Sequence, residues 1–363
     1  MAAEDHAILV GISRYSDQSF APLNGPPNDV QRMRDWLLRA DGGNVPVENI
    51  LTLTSPTNFP ADTDPNDWEP AEHHFQRAYA RVVTDPQTRA PLRRDARLYL
   101  YFSGHGFSER RDQATQAAIF TANATRFLPS NICGTIFALA AREQALFKEI
   151  VLIMDCCRDA ELNLPFSKPA INAGTSDAAA NVRFMALYAA SKGGKAQERS
   201  FPELNGMTCG LLTHAFLRSL EETPPDSQNG VSSTAIKQYL LSTWADVCGS
   251  IPAVEPEFIS PTGPDIQFSA TSKQVLQGFK LTKAPATAIR LDISDALRVS
   301  VVQCYYTPTA ATVTWTGQAA IPLVVSGLRF FLKLQPGLYR CVVSGDMQKS
   351  VPFEATGVTD VDI

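Results

Sequence analysis

Two short segments carry residue types that can do chemistry together. "LYLYFSGHGFS" places His105 between two glycines just past an apolar run, and "VLIMDCCRDA" ends a second apolar run on Asp155, Cys156 and Cys157. An imidazole near a cysteine favours the thiolate, which is the attacking species in nucleophilic catalysis. The two segments therefore predict a nucleophile and its base, provided that the fold brings them together.

A parallel sheet would bring them together. Short apolar runs rich in β-formers alternate with helical periodicity, and predicted strands begin at His6, Asn49, Arg97, Glu149 and Arg183. Strands that are apolar on both faces and separated by helices indicate an α/β fold with a parallel sheet covered on both sides. Catalytic groups of such sheets lie outside the carboxyl ends of the strands. We therefore expect His105 and one cysteine to face each other there.

Strand geometry leaves the choice of thiol open. Successive strand residues point to opposite sides, so Cys156 and Cys157 cannot both face one site. One sulfur is expected to leave the strand and the other to pack inward as a small hydrophobe. The helix signal nearest to this site is "NDVQRMRDWLLRA", where Asn28 or Asp29 is the expected N-cap.

Length and texture predict two domains. The 363 residues are 44% hydrophobic and 19% charged, which is typical of a globular protein with a full core. After about Thr282 the helical period is lost, and alternating β-branched residues with frequent turns follow. We expect an α/β domain at residues 1–270 and a small all-β, sandwich-like domain at residues 282–363.

Composition also excludes several classes of function. The net charge of -5 and the absence of a Lys/Arg cluster argue against nucleic-acid or membrane partners. No apolar run reaches the roughly eighteen residues of a membrane span, and the acidic start is unlike a secretory signal. Seven cysteines without framework or ligand spacing predict reduced thiols in a cytoplasm and no metal site. Oligomeric state is not predicted by the sequence.

The motifs resemble those of the caspase-like cysteine peptidases, above all the metacaspase-type and bacterial caspase-like members. "YFSGHG" and "DCCRD" carry the resemblance, and His105 precedes Cys157 by 52 residues, close to the roughly 50 expected for a caspase histidine. "VGISRYSDQSFAPLNGPPNDVQRM", "ALYAASKGGKAQE" and "NGMTCGLLTHAFLRSL" extend it over most of residues 1 to about 265. The resemblance implies a caspase-like sandwich: a mostly parallel six-stranded sheet with helices on both faces.

The resemblance also implies catalytic roles. Its motifs align so that Cys157 is the nucleophile and Cys156 its packed neighbour. His105 would transfer a proton to the leaving amine, and the backbone N–H groups of Gly106 and Cys157 would hold the oxyanion. Glycine suits this position because no side chain blocks the carbonyl oxygen.

A specificity pocket is implied by three further matches to the family: Asp29, Asp155 and Ser103. Two carboxylates in one pocket repel each other when it is empty and fit the planar fork of an arginine. We expect cleavage after Arg, then Lys, and not after Asp. As alternatives, Asp29 is a helix cap and Asp155 a strand-end turn residue.

Activation and cofactors are expected to differ from those of many metacaspases, which bind calcium through aspartates. Leu164 stands at one of those positions, and the acidic run after the histidine is missing. We therefore expect activity without calcium or any other cofactor. The family's cleavage loop, residues 161–183, contains Lys168 and Arg183, which predicts self-cleavage that the intact mass of the purified chain can check.

The resemblance implies a bacterial enzyme with protein substrates and an upstream activating protease or regulator. Regulated proteolysis in stress response, cell death or antiviral defence is the expected setting. The competing hypothesis is a catalytically silent caspase-fold scaffold that binds a partner through its C-terminal β module. Retention of both Cys157 and His105 favours the enzyme.

Overall fold

The computed structural model describes most of the chain. It covers residues 4–363 except 57, 61, 110–115, 162–163, 172–173, 224–225, 227–229, 262, 270–274, 283–288, 296–299, 308–311, 317–324, 327–328, 335–336, 346–347 and 356–359. Two compact units are distinguished. Unit 1 contains Met1–Ser200, Met207–Ser219 and Gly230–Ser269, and unit 2 contains the remaining segments, chiefly Ala270–Ile363.

Five α-helices lie in the described residues: α1 Gly25–Leu38, α2 Glu72–Val83, α3 Gly134–Glu143, α4 Leu211–Glu222 and α5 Ser233–Cys248. The strands up to the end of unit 1 are β1 His6–Gly11, β2 Ile50–Thr54, β3 Arg94–Gly104, β4 Gly106–Glu109, β5 Ala118–Phe120, β6 Asn131–Ile132, β7 Phe147–Cys156, β8 Asp159–Glu161, β9 Arg183–Tyr188, β10 Glu198–Phe201, β11 Met207–Gly210, β12 Gly230–Ser232, β13 Glu257–Ile259 and β14 Gln267–Ser269. Short 3-10 helices cover Val47–Asn49, Pro65–Asp67, Asp177–Asn181 and Pro202–Leu204.

The central sheet has six strands in the order β13-β9-β7-β3-β1-β2. The five strands from β9 to β2 are parallel, and β13 is antiparallel to β9. The predicted mostly parallel, six-stranded sheet is therefore confirmed. A smaller sheet, β6-β5-β4-β8, continues from the carboxyl ends of β3 and β7.

Both faces of the central sheet are buried, which explains why its strands are apolar at every position. One face packs into a core with α2 and α3. Strands β1, β3 and β7 contribute Ile8, Val10, Leu100, Phe102, Ile150 and Met154, which pack in one cluster with Phe75 and Phe137. The other face meets α1 and α4. There the Trp36 ring lies 6.0 Å from the Tyr99 ring and 6.4 Å from the Phe216 ring.

Helix α1 begins earlier than the sequence predicts. It starts at Gly25, with Pro26 and Pro27 in the first turn, so the expected N-cap at Asn28 or Asp29 is wrong. Proline tolerates this position because the first helical N–H groups have no intrahelical acceptor and its fixed φ suits a helix. The shift places Asp29 inside the helix, where its side chain faces the sheet end and is 1% exposed.

Unit 2 is built from β-strands in its described C-terminal part: β15 Val275–Lys280, β16 Ile289–Asp295, β17 Ser300–Thr307, β18 Thr312–Thr316, β19 Val325–Ser326, β20 Arg329–Leu334, β21 Gly337–Ser344, β22 Lys349–Ala355 and β23 Val361–Asp362. They form a five-stranded sheet, β18-β17-β16-β21-β22, and a four-stranded sheet, β19-β20-β15-β23. Residues of both sheets share one core, including Leu291 and Val343 from the first and Phe279 and Leu332 from the second. This is the expected small all-β sandwich.

None of the helices described is both long and apolar enough to cross a membrane.

Candidate active site

The catalytic segments are held in one register. In the parallel ladder of β3 and β7, Ser103 pairs with Asp155 and Gly104 with Cys156, a separation of 52 positions. The same separation returns where β4 pairs with β8, because Phe107 faces Asp159. His105 and Cys157 occupy the intervening break and are also 52 positions apart. Neighbouring strands therefore place them side by side at the carboxyl edge of the central sheet, as expected.

The glycines on either side of His105 are required by close packing. A Cβ on Gly104 would lie 2.9 Å from the Tyr15 hydroxyl oxygen. A Cβ on Gly106 would lie 2.7 Å from the Cys156 sulfur and 2.6 Å from the Ala118 carbonyl oxygen. Such distances are not tolerated between real side chains and backbone, so only glycine lets the chain turn here around the histidine.

The imidazole of His105 is oriented by a backbone carbonyl. Its Nε2 lies 2.7 Å from the Ala21 carbonyl oxygen. A carbonyl can only accept, so Nε2 carries the proton and Nδ1 keeps its lone pair. Burial lowers the pKa of His105, which keeps the ring neutral at neutral pH. The ring is thus prepared to act as a base through Nδ1.

Tyr15 and Phe20 support the histidine from the segment after β1. The His105 N–H donates to the Tyr15 hydroxyl at 2.8 Å, and that hydroxyl donates to the Ile12 carbonyl. The His105 ring lies 5.1 Å from the Tyr15 ring and 5.8 Å from the Phe20 ring. Sequence reasoning missed Tyr15, Phe20 and Ala21. Their signal was a pair of aromatic residues in "RYSDQSFA", which follows the adjacent strand β1.

The two adjacent thiols occupy different environments. Cys156 ends β7, is 1% exposed and packs against Gly106. Cys157 has left the strand, is partly exposed, and its sulfur lies 3.7 Å from the Ala196 carbonyl oxygen. Burial raises the pKa of both thiols, so Cys157 is a neutral thiol at neutral pH before a substrate arrives.

The Gly106 N–H is directed toward the nucleophile segment. Gly106 faces Ile119 across the antiparallel ladder of β4 and β5, and the flanking bond runs from the Phe120 N–H to the His105 carbonyl. This pattern makes Gly106–Ile119 a non-hydrogen-bonded pair, whose N–H groups point away from each other. The Gly106 N–H therefore points away from β5, toward the side where Cys157 leaves β7.

A buried arginine connects the segment that contains Cys157 to the loop after β9. Arg158 is 1% exposed, and its guanidinium lies 4.8 Å from the Tyr188 ring centroid, donates to the Ala190 carbonyl and pairs with Glu257. The backbone N–H of Arg158 donates to the Gly194 carbonyl at 2.9 Å. These contacts hold the loop that supplies Ala196 against Cys157.

The residues predicted to form the specificity pocket are brought together. Asp29 accepts hydrogen bonds from the Ser103 hydroxyl at 3.0 Å and from the Gly210 N–H at 3.0 and 3.1 Å. Asp155 accepts from the Thr213 N–H at 2.9 Å and from its hydroxyl at 2.7 Å. Gly210 separates the two acids, and a Cβ at this glycine would clash with the Asp155 carboxylate.

A third carboxylate, missed in the sequence, adjoins this pair. Glu198 accepts from the Gly25 N–H at 2.7 Å and from the Asn24 N–H at 3.1 Å, at the N-terminus of α1. A Cβ on Gly25 would lie 2.8 Å from a Glu198 oxygen and 3.2 Å from an Asp29 oxygen. The available signal was an acid in the segment after β9, another parallel strand whose carboxyl end reaches this edge.

Burial and neighbouring negative charge oppose ionisation of Asp29 and Asp155. The pKa of Asp29 is raised well above its usual value by burial and then by the neighbouring Asp155. Burial raises the pKa of Asp155 to about 6, and the Glu198 charge adds to this rise. The pair of carboxyl groups, Asp29 and Asp155, is therefore partly protonated when no cation is bound.

The remaining predicted positions lie elsewhere. Lys168 is exposed, and its carbonyl accepts from Gln76 at 2.6 Å. Arg183 is the first residue of β9 and is paired with Glu149, so the bond after it lies within the central sheet. Self-cleavage stays a prediction, with Lys168 the more accessible of the two positions. Leu164, at the family's calcium position, packs against the apolar core.

Comparison with known proteins identifies the class to which this fold and site belong. The family model for the caspase domain matches residues 4–255. The chain therefore belongs to the caspase-domain family.

Individual relatives are distant. A probable protease from a Desulfuromonadales bacterium is 26% identical over 156 residues, which cover 43% of this chain but only 18% of that relative. Caspase-1 from Spodoptera frugiperda is 10% identical with a TM-score of 0.45, covering 73% of this chain and 89% of the other. Its pro-form is 11% identical with a TM-score of 0.41, covering 73% and 90%.

The exposure of Cys157 predicts selective alkylation of the native protein. The other cysteines with described side chains are buried, so among these six iodoacetamide should modify Cys157 alone. Because burial raises the pKa of Cys157, the rate should rise with pH from 6 to 9 as the thiolate forms. Intact mass spectrometry over time measures the rate.

Two variants serve as controls. Cys157→Ala should lose this adduct, whereas Cys156→Ala should keep it. An adduct that persists in Cys157→Ala and disappears in Cys156→Ala would reverse the assignment of the two thiols.

Proposed function

We propose that this protein is a cysteine endopeptidase that cleaves polypeptides after arginine, and less efficiently after lysine. The observation that carries the proposal is the cluster of three carboxyl groups, Asp29, Asp155 and Glu198, next to an in-register cysteine and histidine. Ser103 completes the polar lining through its hydrogen bond to Asp29.

The chemistry follows from the protonation states. The Cys157 sulfur attacks the scissile carbonyl carbon and forms a C–S bond, while His105 Nδ1 takes the thiol proton. The carbonyl oxygen becomes an oxyanion held by the backbone N–H groups of Gly106 and Cys157. The C–N bond then breaks as His105 returns the proton to the leaving amine. Water hydrolyses the resulting thioester and releases the acid product, which ends in the arginine.

Charge selects the residue before the scissile bond. Buried carboxyl groups that are partly protonated become a fully ionised, strong site when a cation enters. A guanidinium offers five donors in a planar fork and can bind more than one carboxylate at once, which an ammonium does less well. An aspartate in the same pocket would meet like charges, so cleavage after Asp is disfavoured.

Substrate specificity tests this pocket. Peptide reporters that differ only in Arg, Lys or Asp before the scissile bond should be cleaved in that order, with Asp near background. Asp29→Asn should lower kcat/KM for the Arg reporter by about 30-fold or more, because a buried charge pair loses one partner. Steady-state kinetics of each variant measures the change.

The chain offers a matched control on the same helix. Asp35→Asn changes an exposed acid of α1 and should leave kcat/KM unaltered. A preference for the Asp reporter would refute the pocket. No turnover, together with no labelling of Cys157 by an arginyl chloromethyl ketone, would favour the silent scaffold.

The raised pKa of Asp155, about 6, predicts a pH-dependent affinity for cations. Below this value the Asp155 carboxyl is protonated, as is Asp29, whose pKa is also raised, and guanidinium binding must release a proton from this pair. Affinity for agmatine, a small guanidinium ligand, should therefore strengthen from pH 5 to pH 7, approaching tenfold per pH unit at the acidic end. Competitive inhibition of the Arg reporter at each pH gives the dissociation constant.

Removal of the titrating group should flatten this dependence. Asp155→Asn is expected to bind agmatine weakly at every pH, with a slope smaller than that of the wild type. An unchanged slope in this variant would assign the titration to another group.

We further propose that activity requires no calcium. The Leu164 side chain offers no ligand oxygen at the expected position, and the described residues contain no group of three or more His, Cys, Asp or Glu side chains placed to hold a metal. Turnover of the Arg reporter should be the same with EGTA as with added calcium chloride. Loss of activity in EGTA, restored by calcium, would contradict this.

The cellular setting is proposed from the resemblance to family members alone. We place the enzyme in a cytoplasmic, regulated proteolytic pathway of stress response, cell death or antiviral defence, under an upstream activator. New N-termini that appear in a cell lysate with the wild type, and are missing with Cys157→Ala, would identify its substrates.

A further inference from the structure

A hydrogen-bonded turn near the active site exposes two large apolar side chains. Phe127 is 89% exposed and Leu128 is 59% exposed. The turn is closed by reciprocal bonds, since the Thr125 N–H donates to the Leu128 carbonyl at 3.0 Å and the Leu128 N–H donates to the Thr125 hydroxyl at 2.8 Å. Single exposed apolar residues are common on protein surfaces, so the location of this turn is what matters.

The turn is fastened to the segment that orients the catalytic histidine. The Ser16 N–H donates to the Ala122 carbonyl at 2.8 Å, and the Arg126 N–H donates to Asp17 at 2.9 Å. The Arg126 guanidinium lies over the Phe20 ring at 5.2 Å, and Phe20 in turn packs on His105. One residue further along, the Ala21 carbonyl binds His105. The exposed turn and His105 therefore both contact the segment that follows β1.

The strand order gives the direction in which a substrate crosses the site. At the carboxyl edge, the loop after β9 adjoins Cys157, which follows β7; then comes His105, which follows β3, and then the segment after β1 that holds Phe20. His105 must reach the leaving amine, so the residues after the scissile bond lie on its side of the nucleophile. The segment after β1 and the turn attached to it are farther along in that direction.

We propose that Phe127 and Leu128, with the aliphatic stem of Arg126, form a subsite for a large apolar side chain in the first few residues after the scissile bond. The inference rests on the proposed peptidase function and deepens it, because it adds a second selection beyond arginine. Asp17 lies beside Arg126 and offsets its charge, which favours an apolar rather than an acidic occupant. The turn is pre-organised, so binding orders little protein that was not already fixed.

The test compares substrates that do and do not extend past the scissile bond. Quenched-fluorescence peptides with Arg before the bond and either Leu-Leu or Ser-Ser after it are measured beside an arginyl coumarin amide, which has no residues after the bond. The wild type should cleave the Leu-Leu peptide about tenfold more efficiently than the Ser-Ser peptide. In the double variant Phe127→Ser/Leu128→Ser this ratio should fall close to one.

A matched control is available because both side chains are exposed and their replacement leaves the core intact. Val47→Ser replaces a valine that is 56% exposed outside the turn and should keep the tenfold ratio. Normalising each peptide to the coumarin amide separates subsite effects from a general loss of activity.

Two results would overturn the inference, and only the second would also refute the proposed peptidase function. A Leu-Leu preference that persists in the double variant, with the coumarin amide still cleaved, refutes the subsite and leaves the peptidase function standing. No cleavage of any arginine substrate by the wild type refutes the proposed function and this inference with it.

Discussion

The structure depends on a single register between β3 and β7. Ser103 and Gly104 pair with Asp155 and Cys156, and the same 52-residue offset is kept when the two chains continue as β4 and β8. Parallel strands reach the same edge of a sheet together, so a fixed offset makes two distant residues neighbours without any local signal. A slip of one residue would turn Asp155 and the thiols to the opposite faces.

Glycines at three positions allow the close backbone packing that the site requires. Gly104 and Gly106 let the Tyr15 hydroxyl and the Cys156 sulfur approach the histidine turn, and Gly210 lies against the carboxylate of Asp155. Each glycine removes a side chain where two elements must nearly touch. The base is then oriented by backbone groups and aromatic rings of the segment after β1, which adjacent strand order brings to His105.

Asp29 and Asp155 are the two buried acids of the proposed specificity pocket. Asp29 and Asp155 are almost fully buried, and burial raises the pKa of both above the usual value. Their hydrogen bonds to Gly210 and Thr213 keep them satisfied without a cation. An entering guanidinium would replace protons with a fixed positive charge, so recognition and deprotonation are coupled. The Cys157 thiol and the His105 imidazole are likewise uncharged before a substrate binds.

The strands, the change from a helical to an all-β pattern along the chain, and the residue types at the ends of β3 and β7 can be predicted from the sequence alone, because apolar periodicity and turn chemistry are local. The sequence also indicated Asp29, Asp155 and Ser103 through their motif positions. Which groups surround these three residues depends on tertiary contacts between distant parts of the chain. Tyr15 and Ala21 meet His105, and Glu198 meets the start of α1, through contacts between residues some 80 to 170 positions apart. No local sequence pattern predicts contacts between residues so far apart in the chain. The start of α1 was missed for a related reason, since Glu198, a distant side chain, binds its first N–H group.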